Sequence, residues 1–147
     1  MTITQAAFGS GRQPTMPQGL PLFKPPYSRM TAVDLNAGET AWMQPNGDGN
    51  RFRNHPRLRG LDLPPLGGDG RGGPLVTKTL LVSALTAGGT GDGPRLVARD
   101  KVTGEIMGSV DLPSGAVGTP MTYVANGRQY IALTVGGARM IAFAVSE

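Results

Sequence analysis

The sequence contains no cysteine. Disulfides, thiolate metal sites and a cysteine nucleophile are therefore excluded, while the cellular compartment stays open. No stretch of the sequence approaches the roughly 20 consecutive apolar residues that a membrane-spanning helix needs. The first seven residues carry neither the basic nor the apolar segment of a secretion signal, so we expect no signal and no membrane segment in this chain.

Charge is also sparse, since only 16% of the 147 residues are charged and 39% are hydrophobic. A disordered chain would be more charged and poorer in Val, Leu and Ile. The 23 glycines and 13 prolines leave little room for long helices. The composition therefore predicts one domain of short strands joined by many turns. The net charge of +4 would suit an anionic cofactor as well as an ordinary soluble protein.

Several signatures of catalytic sites are missing from the sequence. His55 is the only histidine, and no carboxylates cluster near it, so we interpret it as a surface loop residue rather than a metal ligand or a catalytic base. The glycine runs at residues 67–70 and 88–93 lack the Gly-Lys-Ser/Thr ending of a phosphate-binding loop. Ser83 and Ser114 lack the Gly-x-Ser-x-Gly pattern of a hydrolase.

One dense basic run is present. Residues 51–59 alternate arginines with Phe and Leu, a pattern that would suit phosphate or nucleic acid. The alternative is a solvated loop at the surface of the domain. We favour the loop, and we expect no nucleic-acid partner.

Alternating apolar and polar residues predict a series of short strands. The first 28 residues are expected to be irregular, because Pro25 and Pro26 forbid a helix there. Residues 46–73 predict a long loop, and loops of that length are usually functional or disordered. Asn126 and Gly127 give the strongest hairpin signal, because both tolerate the positive φ of a type I′ turn. The predicted strands cover residues 29–35, 39–43, 74–79, 80–85, 94–100, 105–112, 120–124, 129–135 and 139–145.

A turn signature occurs twice, with its second copy 66 residues after the first. The matched positions are Ala32, Asp34, Gly38 and Glu39 in the first copy and Ala98, Asp100, Gly104 and Glu105 in the second. A second similarity links residues 73–77 with residues 118–122. A third unit runs through residues 129–144 and ends before any such turn. Units of about 40–50 residues with about four strands each are typical of radially repeated sheets.

The chemistry of this signature is structural. A small Ala lets the strand lie close to its neighbour, the Asp carboxylate accepts backbone N–H groups across the turn, and Gly supplies the left-handed residue. Trp42, three residues after Glu39, would place its ring between adjacent sheets. The second copy has Gly108 at that place, so its docking contact is either missing or filled by Met107.

The signature Ala-x-Asp-x-x-(Thr/Ala)-Gly-Glu-x-x-Trp resembles the tryptophan-docking motif of dehydrogenases that use pyrroloquinoline quinone (PQQ). The resemblance extends to residues 23–28, 63–68, 112–123 and 126–132, and it is strongest for the membrane-bound glucose and polyol dehydrogenases. It implies an all-β fold, namely a partial β-propeller formed by the last two to three blades of an eight-bladed quinoprotein propeller. Its blades would be antiparallel and four-stranded, with long loops between them.

The resemblance also implies a domain organisation. An irregular N-terminal segment would precede C-terminal propeller blades at residues 29–147. The expected parts are residues 1–28 (irregular), residues 29–45 (the end of one blade), residues 46–73 (the long loop), residues 74–113 (one blade) and residues 118–147 (an incomplete last blade).

Members of the family hold PQQ and Ca²⁺ in a central funnel, where a carboxylate base assists hydride removal from a sugar or polyol hydroxyl. Electrons pass to ubiquinone or a cytochrome, on the periplasmic side of the inner membrane. The metal ligands and the base lie in earlier blades, so the resemblance assigns no catalytic or metal-ligating residue to this chain. It implies a C-terminal fragment that is inactive alone, binds neither PQQ nor Ca²⁺ by itself, and needs the remaining blades or a partner chain. Open blade edges would favour self-association.

One local stretch carries a cofactor hypothesis. Residues 71–77 resemble a family pattern, x-Gly-Gly-x-Leu-x-Thr, whose first position faces the quinone and is Trp in the alcohol-type enzymes. By that resemblance Arg71, Gly72 and Gly73 are candidate cofactor-binding residues, and Arg71 would pair with a PQQ carboxylate. The alternative for Arg71 is a solvated loop arginine. The alternative for the whole chain is a non-catalytic scaffold or interaction module built from the same repeats.

Overall fold

The structure is a computed structural model that describes residues 15–68, 70, 72–88 and 93–144. Within these ranges the chain forms short strands and one helical turn. The elements are β1 (Arg29–Asp34), β2 (Glu39–Pro45), α1 (Asn50–Arg53), β3 (Leu75–Val76), β4 (Leu80–Leu85), β5 (Arg95–Asp100), β6 (Ile106–Asp111), β7 (Met121–Ala125), β8 (Arg128–Val135) and β9 (Arg139–Ala144).

The strands form three antiparallel sheets in chain order. The first sheet contains β1 and β2, the second contains β3, β4, β5 and β6, and the third contains β7, β8 and β9. Each strand pairs with its neighbour in sequence, so every sheet is a simple meander. The predicted all-β class with antiparallel, partly complete blades is confirmed, and the arrangement is open rather than closed into a ring.

The core lies between the second and third sheets. Val82, Ala84 and Leu96 of the second sheet are buried in one cluster with Leu133 and Val135 of the third. The opposite face of the second sheet is also covered, because Leu81, Leu85 and Val97 are almost fully buried too. A strand covered on both faces has no polar side, which explains why β4 reads as a continuous apolar run broken only by Ser83.

The hairpin predicted at Asn126 and Gly127 is present. Their φ angles are 50° and 75°, and Ala125 pairs directly with Arg128 across the turn. A two-residue loop with two left-handed residues matches the twist of the flanking strands. Most predicted strand limits fall within one or two residues of the observed ones.

The predicted strand at residues 74–79 is wrong in length, because β3 has only two residues. Thr77 ends it by closing a turn with Leu80: its backbone N–H donates to the Leu80 carbonyl (2.8 Å), and its Oγ1 accepts from the Leu80 N–H (3.0 Å). A threonine hydroxyl that satisfies the turn in this way competes with strand pairing.

The long loop at residues 46–73 is also more structured than its composition indicates. It contains α1, and backbone hydrogen bonds join its two ends, from Leu66 N to Asp48 O (3.1 Å) and from Gly67 N to Gly47 O (3.0 Å). Leu66 is 2% exposed. The ends of the loop therefore form a packed seam beside the first sheet.

Candidate functional site

The two copies of the turn signature have the same geometry. In the first copy the Asp34 carboxylate accepts the backbone N–H groups of Asn36 (2.8 Å) and Ala37 (3.3 Å). Gly38 has a φ of 71°, and its N–H donates to the Asp34 carbonyl (2.8 Å). The turn is thus closed by one side chain and one left-handed glycine.

The second copy repeats every one of these contacts. The Asp100 carboxylate accepts from Val102 (2.7 Å) and Thr103 (2.9 Å), and Gly104, with a φ of 77°, donates to the Asp100 carbonyl (2.9 Å). The backbone N–H groups of Thr103 and Val102 hold the pKa of Asp100 below its ordinary value. Glu105 and its counterpart Glu39 are exposed.

Strand register is shared as well. The pairing of β1 with β2 shifts between Ala32 and Val33, and the pairing of β5 with β6 shifts between Ala98 and Arg99, which are matched positions of the repeat. A bulge at the same position in both copies bends the strand in the same way. The repeat is therefore one of backbone conformation, not only of composition.

Trp42 joins the first sheet to the second. Its side chain is buried, its Nε1 donates to the Lys101 carbonyl (3.0 Å), and its ring lies against Gly104. A Cβ on Gly104 would stand 2.7 Å from ring atoms Cδ2 and Cε3, so only glycine fits beneath the indole. The turn of the second copy is thus the docking surface for the tryptophan of the first.

The second copy has no such ring. Gly108 lies opposite Ala98, as Trp42 lies opposite Ala32, and a Cβ at Gly108 would meet no atom within 4 Å. Met107 does not fill the place, because it is 65% exposed and points to the other side of its strand. Of the two sequence alternatives, the missing contact is the one observed.

A buried arginine strengthens the same interface, and no sequence signal pointed to it. Arg99 is 6% exposed and donates to the carbonyls of Gly104 (3.1 Å) and Pro45 (3.5 Å), so it links both sheets. Burial lowers the pKa of Arg99, and the nearby charge of Arg95 lowers it further, while Asp48 opposes both. Arg95 itself is paired with Asp48 at 3.5 Å.

The described residues of the candidate cofactor stretch lie near the starts of β3 and β7. A Cβ at Gly72 would stand 3.2 Å from the Gly118 carbonyl oxygen, and one at Gly73 would stand 3.1 Å from Thr119 Oγ1. The two similar segments of the sequence, residues 73–77 and 118–122, therefore meet at their first residues. Arg71 lies outside the described residues.

Asn46 is the buried polar group nearest to this stretch. It is 8% exposed, its Oδ1 has no hydrogen-bond partner, and Gly70 packs directly on its amide. Its backbone is tied to Ser28 through the bond from Asn46 N to Ser28 O (3.0 Å). Asn46 Oδ1 is therefore a buried acceptor without a partner among the described residues, next to Gly70.

The described residues do not supply a calcium cage. In the ranges given above, no three His, Asp or Glu side chains converge, and Ca²⁺ requires 6–8 oxygen ligands, roughly, with carboxylates among them. The described part of the candidate cofactor stretch is packed, since Gly70 lies on Asn46, and Gly72 and Gly73 lie against the segment that leads into β7. It offers no base and no metal ligand of its own.

The basic run is a loop with internal contacts. Arg53 donates to the Pro64 carbonyl (2.7 Å), and the guanidinium of Arg51 lies 5.4 Å from the ring centre of Phe52. His55 Nδ1 accepts from the Arg57 backbone N–H (3.2 Å), which leaves Nε2 to donate to the Gln18 carbonyl (2.8 Å). Two of the arginines therefore make contacts within the loop, and His55 also joins the loop to Gln18. No helix among the described residues is long and apolar enough to cross a membrane.

Comparison with known proteins gives matches over most of the chain. The family model for the PQQ "Glucose/ethanol/alcohol dehydrogenase, beta-propeller domain" matches residues 2–131. The chain is 34% identical over 131 residues to the glycerol dehydrogenase large subunit of Gluconobacter thailandicus, covering 88% of this chain and 17% of that protein. It is 35% identical over 123 residues to the quinate/shikimate dehydrogenase (quinone) of Acinetobacter baylyi, covering 82% of this chain and 15% of the relative.

A third relative, the quinoprotein glucose dehydrogenase of Escherichia coli, is 32% identical over 126 residues, with 82% of this chain and 15% of the relative covered. Among solved structures, the quinohemoprotein alcohol dehydrogenase of Comamonas testosteroni aligns with a TM-score of 0.49 and 27% identity, over 74% of this chain and 12% of that one. The chain spans about a sixth of the length of the curated relatives it matches.

Proposed function

This chain belongs to the PQQ β-propeller family of glucose, ethanol and alcohol dehydrogenases, and on that premise we propose that it is the C-terminal part of an enzyme that oxidises a sugar or polyol hydroxyl. PQQ, when bound, supplies the two-electron acceptor for that chemistry, and Ca²⁺ is the metal that accompanies it. The electrons pass on to a quinone or a cytochrome, on the periplasmic side of the membrane. The relatives named for glycerol, quinate and glucose favour a polyhydroxylated substrate.

The observation that carries this proposal is the contact of Trp42 with Gly104. This contact joins the first sheet to the second through the turn that resembles the family's docking motif, and it therefore supports the proposal. Gly72 and Gly73, just before β3, lie against Gly118 and Thr119, just before β7. We propose that the edge where β3 and β7 begin forms part of the funnel wall, with Asn46 facing the cofactor.

We propose that Arg71 reaches a carboxylate of PQQ at this edge. A guanidinium matches a carboxylate bidentately, and PQQ is anionic. Gly70, the residue before Arg71 in the sequence, packs on the Asn46 amide. The metal ligands and the catalytic base are proposed to lie in the rest of the propeller, and the isolated chain is proposed to be inactive. The blade limits 29–45, 74–113 and 118–147, with residues 1–28 as an irregular lead-in, remain part of this proposal.

A chimera tests the enzyme function. Residues 15–144 would replace the matching segment of the Gluconobacter glycerol dehydrogenase large subunit, and PQQ- and Ca²⁺-dependent dye reduction would be followed with glycerol, glucose and quinate. We expect activity from the chimera and none from the isolated chain. A folded chimera that binds PQQ but reduces no dye with any of these substrates would overturn the proposal and favour a non-catalytic scaffold.

The partners follow from the same reasoning. Among the described residues, β1 and β9 each pair with a strand on one side only, and such an edge is a template for strand addition. We propose that the remaining blades cover these edges, and that the isolated chain self-associates through them. Light scattering of the isolated chain against the chimera measures this directly: the chain is expected to form oligomers with rising concentration, and the chimera is expected to show no such dependence.

A further inference from the structure

The chain contains two Asn-Gly pairs, Asn46-Gly47 and Asn126-Gly127, and the structure places them in opposite surroundings. An Asn-Gly pair is chemically labile, because the backbone nitrogen of the glycine can attack the side-chain amide carbon of the asparagine. Glycine favours this reaction because it has no Cβ to hinder the approach, and asparagine is accordingly one of the thermolabile residues of proteins. Whether either pair reacts in the folded chain therefore depends on its exposure and its packing.

The first pair is held by contacts on both of its residues. Asn46 is 8% exposed, and Gly70 packs directly on its side-chain amide. The Asn46 backbone N–H donates to the Ser28 carbonyl (3.0 Å), and the Gly47 carbonyl accepts from the Gly67 N–H (3.0 Å). The amide of Asn46 therefore cannot approach the Gly47 nitrogen without displacing packed neighbours.

The second pair is exposed and unhindered. Asn126 and Gly127 form the two-residue loop between β7 and β8, and a Cβ at Gly127 would meet no atom within 4 Å. Ala125 pairs with Arg128 to close the turn, so the loop projects past the last pair of the ladder. It lies at the end of its sheet, not on a face against which another sheet packs. Turns at the end of a ladder open at low free energy, which lets the Asn126 side chain reach the Gly127 nitrogen.

We propose that Asn126 is a site of spontaneous deamidation. The Gly127 nitrogen loses its proton to base and forms a bond to Cγ of Asn126, and the amide nitrogen takes up a proton and leaves as ammonia. Water then opens the cyclic imide at one of its two carbonyls, which gives either aspartate or isoaspartate at position 126. Each product replaces a neutral amide with a carboxylate, so the net charge of +4 falls by one. The reaction consumes only water.

The isoaspartate product changes the hairpin as well as its charge. It routes the main chain through the former side chain, so the backbone of the turn becomes longer by one carbon. A two-residue loop fixes the register of the strands that it joins, so the longer backbone should disturb the pair of Ala125 with Arg128. The rings of Tyr123 and Tyr130, which pair two positions farther along, stack with centroids 5.2 Å apart and report that disturbance.

Peptide mapping of the unmodified chain tests the site, with Asn46 as the internal control in the same sample. The folded chain is incubated in mildly alkaline buffer, and mass spectrometry with electron-transfer fragmentation distinguishes aspartate from isoaspartate at each position. We expect both products at Asn126, at least roughly tenfold above those at Asn46, because a buried site reacts only from rarely populated open states. Equal amounts at the two positions, or no product at Asn126, would overturn the assignment.

Incubation in urea shows whether burial is the cause of the difference. Both pairs are exposed in the unfolded chain, so both should yield the products at similar rates, and a difference that persisted unchanged in urea would contradict the structural explanation.

Asn126→Gly is the matched variant, because glycine keeps the positive φ of the turn and has no amide to lose. The folded variant should keep its charge on ion exchange over the same incubation. Acidic species that form as fast as in the unmodified chain would place the reaction elsewhere and refute the site. Neither result affects the dye-reduction test of the chimera, so this inference and the proposed enzyme function fail separately.

Discussion

The indole of Trp42 leaves no room for a side chain on Gly104, because a Cβ there would stand 2.7 Å from two of its ring atoms. The glycine thus has two separate reasons to be glycine. One is its φ of 77°, which favours a residue without Cβ, and the other is the ring above it. Gly38, at the matched turn of the first copy, has only the first reason, since nothing lies within 4 Å of its Cβ position.

This difference makes a direct prediction. Gly38→Ala should cost about 1–2 kcal/mol, the usual cost of a left-handed alanine. Gly104→Ala should cost a further 1–3 kcal/mol, approximately, because the ring or the sheet must move. Urea unfolding of the two variants measures the difference. Equal losses of stability would mean that the ring does not press on Gly104.

Trp42 should be among the most sensitive positions of the chain. Trp42→Ala removes a large buried ring and should reduce the free energy of unfolding by about 3–5 kcal/mol. Trp42→Phe keeps much of the apolar contact but loses the bond to the Lys101 carbonyl, and it should cost about 1–3 kcal/mol. The exposed Met43 next to it is the control, since Met43→Ala should change stability little. A near-neutral Trp42→Ala would contradict the docking contact.

The turn signature could be predicted from the sequence because it is local. The Asp carboxylate, the left-handed glycine and the hairpin at Asn126 all act within a few residues, so spacing alone specifies their geometry. The contacts between sheets could not be predicted in this way. Arg99 stands at the unspecified second position of the signature, where the first copy has Val33, and only the approach of the Pro45 carbonyl gives it a role.

The length of β3 and the structure within the long loop could not be predicted for a similar reason. Thr77 is a favourable strand residue by propensity, yet its hydroxyl closes the turn with Leu80 and ends β3 after two residues. The end of the long loop also packs on Ser28, so closely that a Cβ on Gly67 would collide with the Ser28 carbonyl oxygen. Contacts of this kind join residues that are distant in the sequence, and the composition of the loop does not predict them.

Acid sensitivity of the second turn follows from the lowered pKa of Asp100. Because its folded pKa lies below the unfolded value of about 3.9, the carboxylate stabilises the fold above that unfolded pKa. The contribution is lost as the pH falls through the folded pKa. Asp100→Asn should reduce the loss of stability on acidification, since the amide oxygen still accepts the two N–H groups and does not titrate in this range. Urea midpoints measured between about pH 6 and about pH 3 test this, and identical slopes for both proteins would refute it.

Arg99 gives a prediction for the interface between the first and second sheets. Arg99→Ala should cost about 1.5–3 kcal/mol or more, because it removes charge-assisted hydrogen bonds to two carbonyls in a buried place. Arg128, which is exposed in the third sheet, is the matched control, and Arg128→Ala should change stability by less than about 0.5 kcal/mol. Similar effects of the two substitutions would show that Arg99 does not link the sheets.

The assignment of the first two sheets as neighbouring blades depends most on the position of the Trp42 ring between them. NMR measures that position directly. We predict nuclear Overhauser contacts between the indole protons of Trp42 and the α-protons of Gly104. We also predict an upfield ring-current shift of those α-protons that disappears in Trp42→Leu. Gly104 α-protons at an ordinary shift, with no contact to the indole in the folded chain, would contradict the placement of these sheets as neighbouring propeller blades.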